Sequence, residues 1–158
     1  MAITLDEVYA HGDRFFAAMA GATAAEQSVF FLHANPRIYV TQGGETIGLE
    51  EHERLHRQWT NERHDFGRFT LTVLNTAPER VRATGTVYWE AEYRNRPPPN
   101  LIKAVVGEDW IIERSPSGAL KFVLYINTFH HLLPDSAPLQ LEEAARPAPA
   151  LDPPRPLC

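Results

Sequence analysis

The sequence predicts an α+β domain in which three N-terminal helices pack on one face of a strongly curved antiparallel sheet. Three observations carry this expectation. Apolar residues recur at helical spacing near the start of the chain, whereas the runs after about residue 68 are long and rich in β-branched and aromatic residues. Between the last two of these runs, Pro116, Ser117 and Gly118 supply hairpin punctuation.

Taken in order, Leu5, Val8, Phe15, Phe16 and Met19 mark an amphipathic helix from Thr4 to about Ala20, with Thr4 and Glu7 as a capping box. Gly21 ends it. Thr23 starts a second helix, AAEQSVFFLH, and Asn35-Pro36 stops it because proline disfavours the helical region for its predecessor. A short strand RIYVT, a turn at QGG and a second short strand ETIG follow. The third helix is expected from Leu49 to roughly Asn61, then a polar break at Arg63–Gly67. Four strands complete the domain: RFTLTVLNT, ERVRATGTVYWEAEYR, LIKAVVGEDWIIER and a closing strand within Ser117–His131. In the second of these, Val81, Ala83, Gly85, Val87, Trp89, Ala91 and Tyr93 share a face and the alternate residues are wet. Simple alternation in the closing strand groups Val123, Tyr125, Asn127 and Phe129 on one face, and Phe122, Leu124, Ile126 and Thr128 on the other. Prolines forbid a ladder in RNRPPPN. The domain is expected over residues 1–133, and residues 134–158, which hold seven of the thirteen prolines, read as a weakly structured tail.

With 44% hydrophobic residues in 158, the chain has enough material for one core. The net charge of −5 is scattered and only two of the fifteen basic residues are lysines, so nothing recommends nucleic acid or an anionic membrane as partner. Acids stand where a secretory leader would carry bases, and a cytoplasmic location is expected. Cys158 alone offers no disulfide framework or thiolate metal site, and no cofactor or metal is expected.

The element order, and the run FFLHANPRIYVTQGGETIGLEEHERLHRQW in particular, resembles the nuclear transport factor two-like superfamily. The features that carry the likeness are the Asn35-Pro36 break into a strand, Gly48 ahead of the third helix, and the Gly118 turn; it covers about residues 4 to 133. That superfamily includes ketosteroid isomerases, scytalone dehydratase, limonene epoxide hydrolase and SnoaL-type polyketide cyclases. The resemblance implies a cystatin-like cone enclosing a mostly apolar cavity, commonly dimeric through the outer sheet face. Compared with the ketosteroid isomerases, the tyrosine donor falls at Phe15, the proton-shuttling aspartate at Val40 and the protonated acid at Trp110 with Asp109 beside it, pointing away. None of the three is kept, which disfavours that isomerase chemistry. Asn127 falls at an inward position with Tyr125 one pleat above, and His56 matches a pocket-facing tyrosine.

Several side chains are candidates for chemistry. His56 is a usable acid or base near neutral pH; Tyr125 and Asn127 are donors to a carbonyl or hydroxyl, and Asp13 is a partner for His56. Such a set suits dehydration, isomerisation or cyclisation of a small apolar molecule, with Phe15, Val40, Trp59, Trp89 and Trp110 as its lining. The competing readings are a half-buried structural histidine, a solvated Asp13, and a non-catalytic binding or dimerisation module. His52-Glu53-Arg54-Leu55-His56 also matches the H-E-x-x-H zinc pattern. Arg54, Trp59 and Glu62 do not suit an extended zinc motif, and His33, His64, His130 and His131 complete no ligand set. The Arg80, Arg82, Arg94 and Arg96 set reads as the wet face of a strand paired with Glu90 and Glu92.

Overall fold

The computed structural model describes residues 2–40 and 45–140; the expected turn at Gln42–Gly44, most of the proline-rich tail and Cys158 lie outside them. Helix α1 spans Leu5–Met19 and α2 spans Ala24–Ser28; after strands β1 (Arg37–Val40) and β2 (Glu45–Gly48) comes α3, Leu49–Arg57. Five strands follow: β3 (Trp59–Phe66), β4 (Thr70–Thr76), β5 (Glu79–Tyr93), β6 (Leu101–Arg114) and β7 (Leu120–Leu132). No described helix is long and apolar enough to cross a membrane.

Capping chemistry sets the helix starts. The Thr4 hydroxyl accepts from the Glu7 backbone N–H at 3.3 Å while the Glu7 carboxylate accepts from the Thr4 N–H at 2.9 Å. Thr23 and Glu26 repeat the device for α2. This second helix is one turn rather than the ten residues expected, because β7 takes over the backbone beyond it. Phe122 donates to the Phe30 carbonyl at 2.8 Å and accepts from Leu32 at 2.9 Å, which lets Phe31 bury its ring beside Phe122.

The sheet runs β2-β1-β7-β6-β5-β3, with β4 also on β5. All pairings are antiparallel except β1 with β7. Strands β3 and β4 share one edge of the long β5: β3 pairs with Val87–Tyr93 and β4 with Glu79–Thr84. The expected inward face of β5 is the buried one. Its arginines, however, pair with β6 rather than with Glu90 and Glu92. Arg80 Nε donates to Glu113 at 2.8 Å and Arg82 Nε to Asp109 at 2.9 Å, while Arg94 and Arg96 bond to the Trp59 carbonyl and to Gln140. Trp110 faces inward and Asp109 outward, as expected.

Two corrections shape the interior. Helix α3 ends at Arg57, and Arg63–Gly67 is no break, because β3 occupies Trp59–Phe66. A register shift lies between Thr60 and Arg63, where Asn61 adopts φ 51°, a left-handed conformation asparagine tolerates better than most residues. This bulge changes the inward parity from Trp59 to Glu62, His64 and Phe66. Strand β7 likewise shifts register twice against β6, so Phe122 and Tyr125 both point inward, and Phe129 turns out where alternation expected it in. His130 takes the inward place.

One end of the hollow is filled by aromatic rings. Trp110 and Phe122, both fully buried, pack 5.3 Å apart, and Phe66 and Phe69 lie 6.2 and 5.0 Å from Trp110. Burying rings of this size contributes about 2–3 kcal/mol each. Gly12 and Gly85 make the plug possible: a Cβ on Gly12 would stand 2.7 Å from Phe66, and one on Gly85 would stand 2.2 Å from Phe69. Beyond Leu133 the described chain stays on the sheet, with Ala137 buried and donating to the Leu101 carbonyl at 2.8 Å.

Candidate active site

Between the aromatic plug and the open end of the sheet lies a cavity of about 50 Å³, counted as room for the centre of a water molecule. Adding a water radius all round gives an envelope of roughly 200 Å³, room for a compact molecule of about ten heavy atoms. Of the expected lining residues, Val40, Trp59 and Trp89 border it. Phe15 and Trp110 stand one layer back, packed on Tyr125 at 5.3 and 5.5 Å. His56, Tyr125 and Asn127 are brought together on the wall, whereas Asp13 is exposed on the outer side of α1 and borders nothing inside.

The partner of His56 is Glu62, delivered by the β3 bulge. Nδ1 of His56 lies 2.9 and 3.0 Å from the two Glu62 oxygens, with the two side chains 7% and 1% exposed. Trp89 Nε1 donates to the same carboxylate at 3.2 Å. Burial opposes the charge on Glu62, but the His56 contact and its bonds outweigh it and hold the carboxyl below its usual range. An ionised Glu62 requires the proton on His56 Nδ1, which leaves Nε2 as the basic nitrogen.

Glu108, buried on β6, also lines the cavity. Desolvation pushes its pKa up to about 8, although bonds from Trp110, Tyr125 and Asn127 pull the other way. Near neutral pH it is mostly a neutral carboxylic acid. Its Oε2 accepts from Trp110 Nε1 at 2.8 Å and from Asn127 Nδ2 at 2.9 Å, so the acid proton sits on Oε1. The Tyr125 hydroxyl is 3.5 Å from Oε1, too long to engage that proton strongly. Buried beside Glu108, the Tyr125 phenol is itself held well above its ordinary pKa and stays neutral.

The hollow is more polar than expected, because β3 and β6 contribute titratable groups as well as α3 and β7. His64 stacks on Phe16 at 4.3 Å, and burial lowers its pKa to about 4. His130 is likewise lowered to about 4 by burial. Among the described residues, His130 Nδ1 and Trp59 Nε1 are buried with no protein partner, and both side chains border the cavity. The indole N–H calls for an acceptor from whatever molecule enters, and His130 Nδ1 for a donor or an acceptor according to its tautomer.

The H-E-x-x-H segment does not make a zinc site. His52 gives Nδ1 to Gln27 Oε1 at 3.0 Å, an orientation fixed because Gln27 Nε2 donates to the Ala22 carbonyl. Glu53 turns outward, accepts from the Ala24 backbone N–H at 2.7 Å and pairs with Arg57. Among the described residues no three His, Cys, Asp or Glu side chains are grouped to hold a metal ion.

Glu62, Glu108 and His130 were not among the catalytic or lining candidates, Glu62 and His130 having been weighed in sequence only against a zinc site. For Glu108 the signal existed: it lies two residues before the inward Trp110, hence on the same face. For Glu62 and His130 it did not, since bulges set their direction.

No protein-family model matches the sequence, nor does any curated protein. Solved structures do match in shape. ActVI-ORFA of Streptomyces coelicolor superposes with a TM-score of 0.59 at 15% identity, over 79% of this chain and 95% of its own. A Catenulispora acidiphila protein in complex with S-DNPA gives 0.59 at 17%, over 80% and 91%. The hexachlorocyclohexane dehydrochlorinase LinA-type3 of Novosphingobium barchaimii gives 0.57 at 15%, over 82% and 88%. Likeness at these identities shows the fold alone: helices packed on a curved, unclosed sheet as in these neighbours, the cone that the resemblance to the nuclear transport factor two-like superfamily implied.

Proposed function

We propose that this protein abstracts a proton from a small, largely apolar organic molecule held in the cone, as the first step of an elimination, dehydration or enolisation. The observation that carries the reading is the pairing of His56 Nδ1 with buried Glu62 at 2.9 Å, in the wall of a cavity that also contains neutral Glu108. His56 Nε2 takes the proton, and the imidazolium that forms is stabilised by Glu62. Glu108 Oε1–H donates to the oxygen or leaving group on which charge develops, and Trp59 Nε1 is a second donor of the same kind. An apolar wall strengthens both effects by excluding water. A dehydrochlorinase removes a proton together with a chloride, so the name of one structural neighbour supports the same class of step.

A probe reaction tests this without knowledge of the natural substrate. In 5-nitrobenzisoxazole a base removes the ring C–H proton, the electron pair forms a nitrile, and the N–O bond breaks to leave a phenolate. His56→Ala is expected to lower the protein-catalysed rate by about 10²-fold and Glu62→Gln by about tenfold. Rates equal to those of the unaltered protein would leave only a binding module.

The partner proposed is a second copy of the chain. The outer face of β6 and β7 presents half-exposed Val105, Ile111, Leu124 and Ile126 beside Phe129, which is 44% exposed.

A further inference from the structure

On the other side of His56 lies a second recess, between the end of α1 and the last turn of α3, of about 320 Å³ by the same measure. Met19 and His56 border both this recess and the interior cavity, so the partition between the two is formed by these side chains. Methionine is unbranched and repacks readily, which makes Met19 the movable half of the partition.

The chemistry of the outer side is cationic. The carboxylate of the recess, Glu53, is already committed to Arg57 and to the Ala24 backbone N–H. Arg94 has no carboxylate partner among the described residues. Its Nε donates to the Trp59 carbonyl at 2.9 Å and its backbone N–H to the Gln58 carbonyl at 2.9 Å, which fixes the guanidinium at the junction of α3 and β3. Its terminal nitrogens have no partner among the described residues, and a guanidinium fork so held matches a carboxylate.

Resting on the reading of the cavity as a substrate site, we infer that the recess receives the anionic end of the substrate, a small carboxylate whose apolar body passes Met19 into the cavity and whose acid group pairs with Arg94. The reacting C–H then lies beside His56, between the anchored acid and Glu108. Arg94 is thus a specificity residue for acids over their neutral analogues.

Benzoate and benzamide, of nearly equal shape, separate the two parts of the inference. Each is titrated into the full chain while the Trp59 indole N–H resonance is followed by NMR. Benzoate is expected to bind about five- to tenfold more tightly than benzamide. Arg94→Gln should abolish that preference and leave benzamide binding unchanged, while Arg94→Lys should retain part of it. Equal affinity for the two probes in the unaltered protein, or a preference that survives Arg94→Gln, overturns the role of Arg94 and leaves the cavity reading intact. Failure of both probes to move the Trp59 resonance overturns the cavity reading and this inference with it.

Discussion

Replacing Glu108 with glutamine isolates the neutral acid. Glutamine keeps the acceptor oxygen for Trp110 and Asn127 and keeps a donor where Oε1–H stood, but it cannot ionise. In the folded protein burial raises the Glu108 pKa from 4.5 to about 8. The unfolded chain therefore loses this proton first, so stability is complete below pH 4.5 and drains away as pH rises toward 8. Integrating the proton difference with those two values gives a loss of about 2 kcal/mol between pH 6 and pH 8. Urea unfolding of both proteins at pH 6, 7 and 8 measures it. The variant should gain about 2 kcal/mol on the unaltered protein across that interval, and the histidines cancel because both chains carry them. A stability difference that stays flat with pH would refute a protonated Glu108.

Acid should weaken the fold through buried histidines. His11, between Phe30 and Phe122, is lowered to about 4, chiefly by burial and then by Arg14 and Lys121. Its unfolded form takes up a proton first, so stability falls from about pH 6.5 toward pH 4. His11→Phe should recover about 2 kcal/mol of the loss between pH 7 and pH 5, read by thermal unfolding at both; an unchanged acid limb would contradict this. Phe129→Asp should convert a dimer to a monomer in sedimentation without loss of folding, and a sedimentation profile that the substitution leaves unchanged would remove the outer face of β7 as the interface.

How far the sequence reaches depends on where the backbone keeps its period. The Thr4–Glu7 cap and the two-residue alternation of β5 are local rules, and both are realised residue for residue. Strand β3 reads as polar filler because its inward positions are Glu62, His64 and Phe66 and its outward ones Arg63 and Asp65, with Asn61 breaking the rhythm. The His56–Glu62 pairing depends on that break: without the bulge Glu62 would face solvent. The resemblance placed His56, Tyr125 and Asn127 inward, as they stand, whereas nothing in the residues told which side of α1 the sheet covers, and Asp13 lies on the exposed one. The H-E-x-x-H match has the right spacing, but its glutamate caps a neighbouring helix.

Nitrogen-15 NMR of the His56 ring tests the centre of the account most directly, since chemical shifts distinguish a protonated from a lone-pair nitrogen. In the neutral ring a proton on Nδ1 and a free Nε2 are expected, with the tautomers becoming mixed in Glu62→Gln. A ring carrying its proton on Nε2 in the unaltered protein would put the basic nitrogen against Glu62 and contradict His56 as the proton acceptor.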